Sequence, residues 1–311
     1  MKNTPRPPFP PWLAIIFGIL AVSTASIFIR FAQQDAPSLV IAAWRLTLAT
    51  LILLPGALLK ERVTILRMAR QDLRLALISG AALAVHFATW ISSLEYTTVA
   101  SSVVFVCTSP LFVALFSPLV LHEKLTRATI AGLFLAFCGG ILVGLSDACS
   151  LQGTYLSCPP LSEFVSGKAF IGDMLALVGA LAASIYLLIG RSLRPRLTLG
   201  SYIFIVYGVA AVILIMVMMA AGQHPFGYTP ITYLWFLLLA LVPQLLGHST
   251  FNWALGYLSA AFVSITLLGE PIGSTVLAYF ILDEIPSGIK IFGAILILTG
   301  IFIASQGERK S

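Results

Sequence analysis

The chain contains 311 residues, of which 59% are hydrophobic and only 10% are charged, and its formal net charge is +6. Soluble domains carry roughly 25% charged residues, so this composition excludes an ordinary soluble protein and indicates one that crosses a membrane several times. The basic residues lie in short connections between apolar segments, where they report membrane orientation and argue against nucleic-acid binding.

Ten apolar segments are long enough to cross the roughly 30 Å hydrocarbon core of a bilayer as helices. In chain order they are 12–31, 39–59, 73–94, 99–121, 128–145, 170–189, 202–221, 231–255, 260–282 and 288–304. Most connections are short, so neighbouring helices run antiparallel. The exception is 146–169, a loop rich in Ser, Pro and Gly, which separates residues 1–145, called here the first half, from residues 170–311, the second half. The sequence therefore predicts an all-α polytopic membrane protein with five helices in each half and an external linker loop.

Lysine and arginine predict how these helices are oriented. Fourteen of them lie at the two termini and on alternate connections, whereas the other connections hold only Lys168 and Lys290. Because basic residues accumulate in cytoplasmic loops, both termini are expected in the cytoplasm. Ten spans with both ends inside agree with that orientation.

The two halves share an internal repeat. A shift of 161 positions places Ser109-Pro110 on Glu270-Pro271. The same shift aligns His122-Glu123 with Asp283-Glu284, Gly132 with Gly293, Gly139 with Gly300 and Tyr96 with Tyr257. Since five is an odd number, the second repeat must enter the membrane with the opposite polarity. Inverted repeats are typical of secondary transporters, although oligomeric channels are also built from inverted halves.

Glu270 is a carboxylate within an apolar segment, and Pro271 follows it directly. A charged side chain near the middle of a membrane helix costs ~2.5–3.5 kcal/mol on insertion scales, and proline frees a backbone carbonyl nearby. Such groups must face protein or a water-filled cavity. Two interpretations stay open, a packing hydrogen bond to another helix or a protonation site whose charge changes during transport.

Polar residues recur on spans three and eight. Gln244, His248 and Asn252 are spaced by four residues and are expected on one helix face. His86 and Trp90 have the same spacing, and a shift of 162 places His86 on His248. Such residues either bond to neighbouring helices or line an aqueous cavity. The histidines are therefore candidates for binding solute or a proton, with neutral interhelical hydrogen bonds as the alternative.

Arg45, Trp44 and Tyr186 complete the candidate residues for substrate binding or cavity lining. Arg45 lies near the start of span two, where a buried arginine needs a partner. It either attracts an anionic group, such as a substrate carboxylate, or pairs with a carboxylate or with helix-end carbonyls. Trp44, Trp90 and Tyr186 either stack on substrate or belong to the core or the interfacial belt.

The chain resembles the drug/metabolite transporter superfamily and, within it, the EamA family of ten-span bacterial exporters. Besides the inverted repeat, the likeness is carried by Ala36-Pro37, Trp44-Arg45, the 96–110 segment with HEKLTR after it, Glu270-Pro271 with Asp283-Glu284, and Gly132, Gly139, Gly293 and Gly300. The resemblance covers nearly the whole chain. It implies a multi-pass carrier of the bacterial inner membrane that moves small metabolites, such as amino acids, and frequently exports them.

Other functions receive less support from the sequence. An intramembrane enzyme acting on lipid-linked substrates needs a nucleophile or metal-ligand cluster, but H-E-x-x-H, G-x-S-x-G and paired aspartates are absent. A Walker-type glycine loop is also absent, which argues against an ATP-driven pump. A channel or a non-transporting membrane protein remains the alternative. We expect no catalytic residues, metal or cofactor; the expected partners are a small solute and the lipid bilayer, with monomer and homodimer both open.

The four cysteines do not form a cluster typical of metal binding. Cys107 and Cys138 lie in apolar segments and are expected to be packing residues. Cys149 and Cys158 share the polar linker, where they either form a disulfide in an oxidising compartment or remain free thiols.

Overall fold

The computed structural model describes residues 7, 10–97, 102, 105–148, 150–152, 155–157, 160, 168–282 and 287–308. The expectations about Cys149, Cys158, Asp283 and Glu284 concern residues outside this part of the chain. Within it, the chain is helical apart from turns and one short hairpin in the linker.

The helices coincide broadly with the predicted apolar segments, whereas the short hairpin in the linker was not predicted. The first half contains α1 (Pro11–Ser23), α2 (Ala25–Ala32), α3 (Ser38–Gly56), the π-helix π1 (Ala57–Glu61), α4 (Arg62–Leu66), α5 (Arg70–Tyr96), α6 (Ser109–Val120) and α7 (Arg127–Ala148). In the linker, β1 (Ser150–Gln152) and β2 (Tyr155–Ser157) pair antiparallel. The second half contains α8 (Lys168–Leu193), α9 (Leu199–Ala220), α10 (Pro230–Leu239), the π-helix π2 (Ala240–His248), α11 (Ser249–Ala254), α12 (Ala260–Leu267), α13 (Glu270–Leu282) and α14 (Gly288–Glu308).

Many of these helices are suited to a bilayer. Among the described residues, six helical stretches are long and apolar enough to cross a membrane: Pro11–Ala32, Ser38–Leu66, Arg70–Tyr96, Phe170–Leu193, Leu199–Ala220 and Pro230–Ala254. Shorter apolar helices are Ser109–Val120, Arg127–Leu142, Ala260–Ser274 and Ile291–Gly307. Large apolar side chains such as Leu119 and Phe280 are 71% and 75% exposed, which suits contact with lipid rather than water. The protein is therefore a polytopic helical membrane protein.

Three predicted spans are broken where the sequence indicated continuous helices. Span one is divided at Thr24, span four has a turn at 107–108, and span nine has a turn at 268–269. Pro110 and Pro271 each occupy the second position of the helix that follows the turn. Proline is tolerated there because the first backbone N–H groups of a helix have no intrahelical partner to lose.

Helices α7 and α14 contact each other through glycines. A Cβ atom on Gly132 would lie 2.5 Å from the carbonyl oxygen of Gly300, and one on Gly139 would lie 2.5 Å from that of Gly293. The two backbones therefore approach as closely as the missing side chains allow. Because rising residue numbers on α7 meet falling numbers on α14, the two helices run antiparallel.

Candidate functional site

A cavity of about 80 Å³ lies where the broken helices meet. A single water needs a space of about 10–15 Å³ on this measure, so several waters or part of a small solute fit. The first half contributes Val22, Ala25, Arg45, His86, Trp90, Val106, Cys107, Ser109 and Pro110 to its lining, and the second half contributes Ala183, Tyr186, Leu187, His248, Phe251, Leu267, Leu268 and Glu270. One site is thus built by both halves.

Six of the nine candidate residues line this cavity: Arg45, His86, Trp90, Tyr186, His248 and Glu270. Gln244 and Asn252 lie behind the lining, where they contact lining residues. Trp44 lies elsewhere: its indole Nε1 donates to the carbonyl oxygen of Pro225 at 2.7 Å, and its ring stacks on Phe236. The neighbouring residue pair Trp44-Arg45 therefore faces two different environments.

Serine hydroxyls satisfy backbone carbonyls at two of the helix breaks. Ser23 Oγ donates to the carbonyl oxygen of Glu270 at 3.1 Å, and Ser184 Oγ donates to that of Ser109 at 3.0 Å. Ser274 Oγ in turn donates to the carbonyl oxygen of Ser23 at 3.0 Å. These bonds link separate helices and stabilise the broken ends beside the cavity.

Arg45 on α3 is 1% exposed and is held from two sides. Its Nε donates to Gln244 Oε1 at 2.8 Å, and its guanidinium carbon lies 4.2 Å from the centroid of the Phe87 ring, within the range of a cation–π interaction. Its Nη1 is buried and has no hydrogen-bond partner among the described residues. The guanidinium is thus oriented by the protein yet keeps an unused donor.

Glu270 is the first residue of α13, and it lines the same cavity. In the part of the chain that the structure describes, its carboxylate has neither a hydrogen bond nor an ion pair, although it interacts electrostatically with Arg45. The N-terminus of a helix favours a negative charge. The cavity therefore contains an acidic and a basic group that do not neutralise each other by direct contact.

The two histidines differ in their bonding. His86 Nδ1 donates to the carbonyl oxygen of Gly179 at 3.0 Å, and its ring stacks on Trp90 with centroids 5.8 Å apart. The ring nitrogens of His248 have no hydrogen-bond partner among the described residues, and the ring lies edge-on to Phe87 at 5.3 Å. Trp90 Nε1 is likewise without a described partner. His248 and Trp90 thus retain hydrogen-bonding capacity for a solute.

Asn252 fixes the back wall of the cavity. Its Nδ2 donates to the hydroxyl of Tyr186, to that of Tyr207 and to the carbonyl oxygen of His248. Gln244 instead points to Arg45. Residues 240–248 are π-helical, and Gln244, His248 and Asn252 all lie on or directly behind the cavity lining.

No three His, Cys, Asp or Glu side chains come close enough to hold a metal ion within the described residues. Comparison with known proteins gives a more decisive result, since the sequence model of the EamA-like transporter family matches residues 10–145 and again residues 170–306. The chain belongs to the EamA-like transporter family. The protein is therefore a secondary transporter of small metabolites.

Full-length relatives carry transporter names too. An uncharacterised transporter of Archaeoglobus fulgidus is 23% identical over 302 residues, which cover 96% of this chain and 98% of the relative. The pseudopaline exporter CntI of Pseudomonas aeruginosa is 24% identical over 299 residues, which cover 95% of this chain and 96% of the relative. A solved crystal structure has the same fold, with a TM-score of 0.74, 18% identity and coverage of 96% of this chain and 97% of that chain. Family and relatives favour a transporter over an enzyme.

Sequence reasoning missed several residues that line or support the cavity of this EamA-like transporter. Phe87 lies under Arg45, and Phe251 and Cys107 line the cavity, but apolar residues on apolar helices give no signal of which side they face. Ser23 and Ser184 did leave a signal. They end the similar hexapeptides GILAVS at 18–23 and GALAAS at 179–184, which are separated by 161 residues, the same shift that relates Ser109 to Glu270.

Proposed function

We propose that this transporter exports a small zwitterionic solute, such as an amino acid, by alternating access through the central cavity. The observation that carries the proposal is that Arg45 and Glu270 line one cavity without an ion pair to any described residue. Buried charges are costly unless they are paired. A solute with one carboxylate and one ammonium group would pair both at once.

The remaining lining suggests how such a solute is held. The unused Nη1 of Arg45 would donate to its carboxylate, and Glu270 would accept from its ammonium group; hydrogen bonds to charged groups contribute ≈ 1.5–3 kcal/mol each. Val22, Leu187 and Phe251 offer an apolar surface for the rest of the molecule. We therefore favour solutes with a compact apolar side chain.

We further propose ten membrane spans in two oppositely oriented repeats, residues 1–145 and 170–311. Two observations support this arrangement. The bond from Ser23 to the Glu270 carbonyl has an equivalent in the bond from Ser184 to the Ser109 carbonyl. The two donors differ by 161 positions, and so do the two acceptors. The antiparallel contact between α7 and α14 is also what a two-fold axis in the membrane plane would produce.

In this arrangement, carboxylates join the halves at both ends of the molecule. Asp35, between α2 and α3, accepts hydrogen bonds from the backbone N–H of Thr229 and the hydroxyls of Thr232 and Thr229, and these bonds lower its pKa. Glu123 forms an ion pair with Arg191 at 2.5 Å and accepts from the backbone N–H of Ala260 at 3.2 Å. Alternating access would open one end at a time.

We propose export across the inner membrane with both termini in the cytoplasm. The Lys and Arg bias of the connections supports the orientation. The printed name of the Pseudomonas relative, an exporter, supports the direction. A reporter enzyme fused after Gln306 tests the orientation, and periplasmic activity of that reporter would contradict it.

The solute class is tested with proteoliposomes loaded with a defined mixture of amino acids, their amides and the matching deaminated acids. Mass spectrometry of the external medium shows which compounds leave. We expect wild type to prefer the zwitterions. In Arg45→Gln, the preference for zwitterions over the amides should fall by about 30-fold or more, because one partner of a buried charge pair is removed. Arg30→Gln, which changes an exposed arginine, is the control with the same charge change.

Two results would overturn the proposal. Equal efflux of all three compound classes from wild-type vesicles would remove the role of the paired charges. Failure of excess unlabelled solute on one side to drive counterflow of labelled solute would favour a channel over a carrier.

A further inference from the structure

Residues 57–74, which run from the end of α3 into the first turn of α5, have an unusual surface. Its five basic side chains are all exposed, and none forms an ion pair with a described residue: Lys60, Arg62, Arg67, Arg70 and Arg74. Four of its large apolar side chains are also exposed, by 58%, 84%, 60% and 74% respectively: Leu58, Leu59, Val63 and Leu66. Cations and leucines thus project together from one short segment.

The two acidic residues of this segment contact the protein instead. Glu61 accepts a hydrogen bond from Thr198 Oγ1 at 2.6 Å, and Asp72 forms an ion pair with Arg196 at 2.9 Å. Both partners belong to the connection between α8 and α9. The carboxylates are therefore occupied within the protein, while the five cations face outward without counter-charges.

We propose that the 57–74 segment binds the headgroups of anionic phospholipids at the membrane surface. Two apolar stretches that are each long enough to cross the bilayer, Ser38–Leu66 and Arg70–Tyr96, meet within this segment, so it lies at the bilayer edge. There the leucines reach the acyl chains while the arginines reach the phosphates, as in interfacial amphipathic elements. Unpaired cations at this depth complement the negative surface charge of the lipids.

A lipid explains both properties of the segment, whereas an acidic protein partner explains only one. The exposed leucines are continuous with two membrane-spanning helices, so the bilayer covers them without any further partner. An acidic protein surface would neutralise the cations but leave the leucines to be covered separately. The proposal does not depend on the transported solute.

The test uses the full-length protein in detergent with an equimolar mixture of phosphatidylglycerol and phosphatidylcholine of identical acyl chains. Native mass spectrometry counts the lipids of each class that stay bound. We expect wild type to retain phosphatidylglycerol at least tenfold over phosphatidylcholine. R62Q combined with R67Q should bring that ratio close to one, because each cation near the surface contributes an approximately fivefold preference. R30Q combined with K168Q removes two exposed charges elsewhere and should leave the ratio unchanged.

A second measurement needs no variant. Raising the salt concentration before analysis should reduce the wild-type preference for phosphatidylglycerol, because exposed charges are screened. Equal retention of the two lipids by wild type at low salt would overturn the proposal, as would an equal loss of preference in the control variant. A dimer of the chain that the R62Q/R67Q variant abolishes, without any lipid preference, would instead assign the surface to a second copy.

Discussion

The first and second halves of the molecule have the same backbone arrangement at the cavity, a helix that starts just before a proline, but different side chains at that helix start. In each half a helix starts at the residue before a proline, Ser109 or Glu270, and the carbonyl oxygen of that residue accepts a hydrogen bond from a serine on another helix. Only the second half places a carboxylate there. Both halves therefore have the serine hydrogen bond that supports the break, whereas only the second half has a charged residue there.

The two histidines repeat this contrast. His86 stands on the regular helix α5 and donates to the Gly179 carbonyl, so its Nδ1 is already used by the protein. His248 stands at the end of the π-helix π2, and its ring nitrogens bond to no described residue. π-helical turns occur frequently at functional sites, where they redirect side chains. The second half therefore gives a similar histidine a free imidazole.

The comparison distinguishes residues that support the fold, which are repeated in both halves, from residues that would bind the solute, which are not. A carrier with one solute needs one set of charges, and here Arg45 comes from the first half and Glu270 from the second. Substitutions at scaffold positions should therefore have equal effects in the two halves, and substitutions at site positions should not. The four comparisons below test that rule.

The largest difference is expected between Glu270 and Ser109. Glu270→Gln keeps the shape of the side chain but removes the charge that would hold the solute's ammonium group. We expect at least about 30-fold slower transport of a zwitterion, and a rate that no longer varies with pH. Ser109→Ala keeps the Ser184 hydrogen bond, because the backbone carbonyl accepts it, and should change the rate less than about threefold. If Glu270→Gln retains the wild-type rate and pH dependence in proteoliposomes, Glu270 is a packing residue.

The glycines between α7 and α14 should respond equally. An alanine Cβ at Gly139 would meet the Gly293 carbonyl at 2.5 Å, and one at Gly300 would meet the Gly132 carbonyl at 2.6 Å. We expect each alanine variant to lower the free energy of unfolding by about 1–3 kcal/mol, the usual cost of overpacking.

Gly140 provides the matched control for this pair. No atom lies within 4 Å of a Cβ placed there, so Gly140→Ala should be neutral or stabilise the helix by up to about 1 kcal/mol. Unfolding in mixed detergent micelles measures all three variants. A similar loss for Gly140→Ala would mean that helix geometry, rather than the contact between halves, sets the cost.

Substitution of the two histidines should affect different properties, stability for His86 and transport for His248. His86→Leu removes the interhelical hydrogen bond to the Gly179 carbonyl and should cost about 0.6–1.7 kcal/mol of stability. His248→Leu breaks no ring hydrogen bond to a described residue, so it should leave the melting temperature within a few degrees of wild type while transport falls by about tenfold. Thermal unfolding and initial transport rates, measured on the same preparations, separate the two effects. A stability loss in His248→Leu as large as in His86→Leu would contradict the proposed division.

The sequence predicted most of the helices because each is a long apolar run, but it did not predict their breaks. Proline marked two of the three, yet Pro118 and Pro243 do not coincide with a turn, so proline alone does not locate a break. The turn at Thr24 has no proline at all. The breaks are supported by hydrogen bonds between helices that are distant in sequence, such as those of Ser23 and Ser184, and the sequence does not reveal such contacts.

The sequence predicted the part of the candidate site that consists of charged residues and histidines. Arg45, His86, His248 and Glu270 stood out because polar groups in apolar helices must face protein or water, and all four line the cavity. Trp44 lies outside the cavity, and the sequence did not reveal this, because the composition of an apolar helix does not distinguish its faces. Gln244 and Asn252, predicted from their spacing to His248, contact lining residues without lining the cavity themselves, because spacing along a helix gives the face but not the depth.

The smallest effect, and the most direct test of equivalence, concerns the serines that support the two breaks. Ser23→Ala removes the donor to the Glu270 carbonyl, and Ser184→Ala removes the donor to the Ser109 carbonyl. Interhelical hydrogen bonds in membrane proteins contribute about 0.6 kcal/mol on average and up to about 1.7 kcal/mol, so we expect two equal losses in that range. Ser305→Ala, whose hydroxyl bonds only within its own helix α14, is the control and should stay near wild type. Unfolding in mixed micelles measures all three. Losses that differ by more than about 1 kcal/mol would show that the halves are not equivalent even in their scaffold, because two bonds of similar length would then contribute unequally to stability.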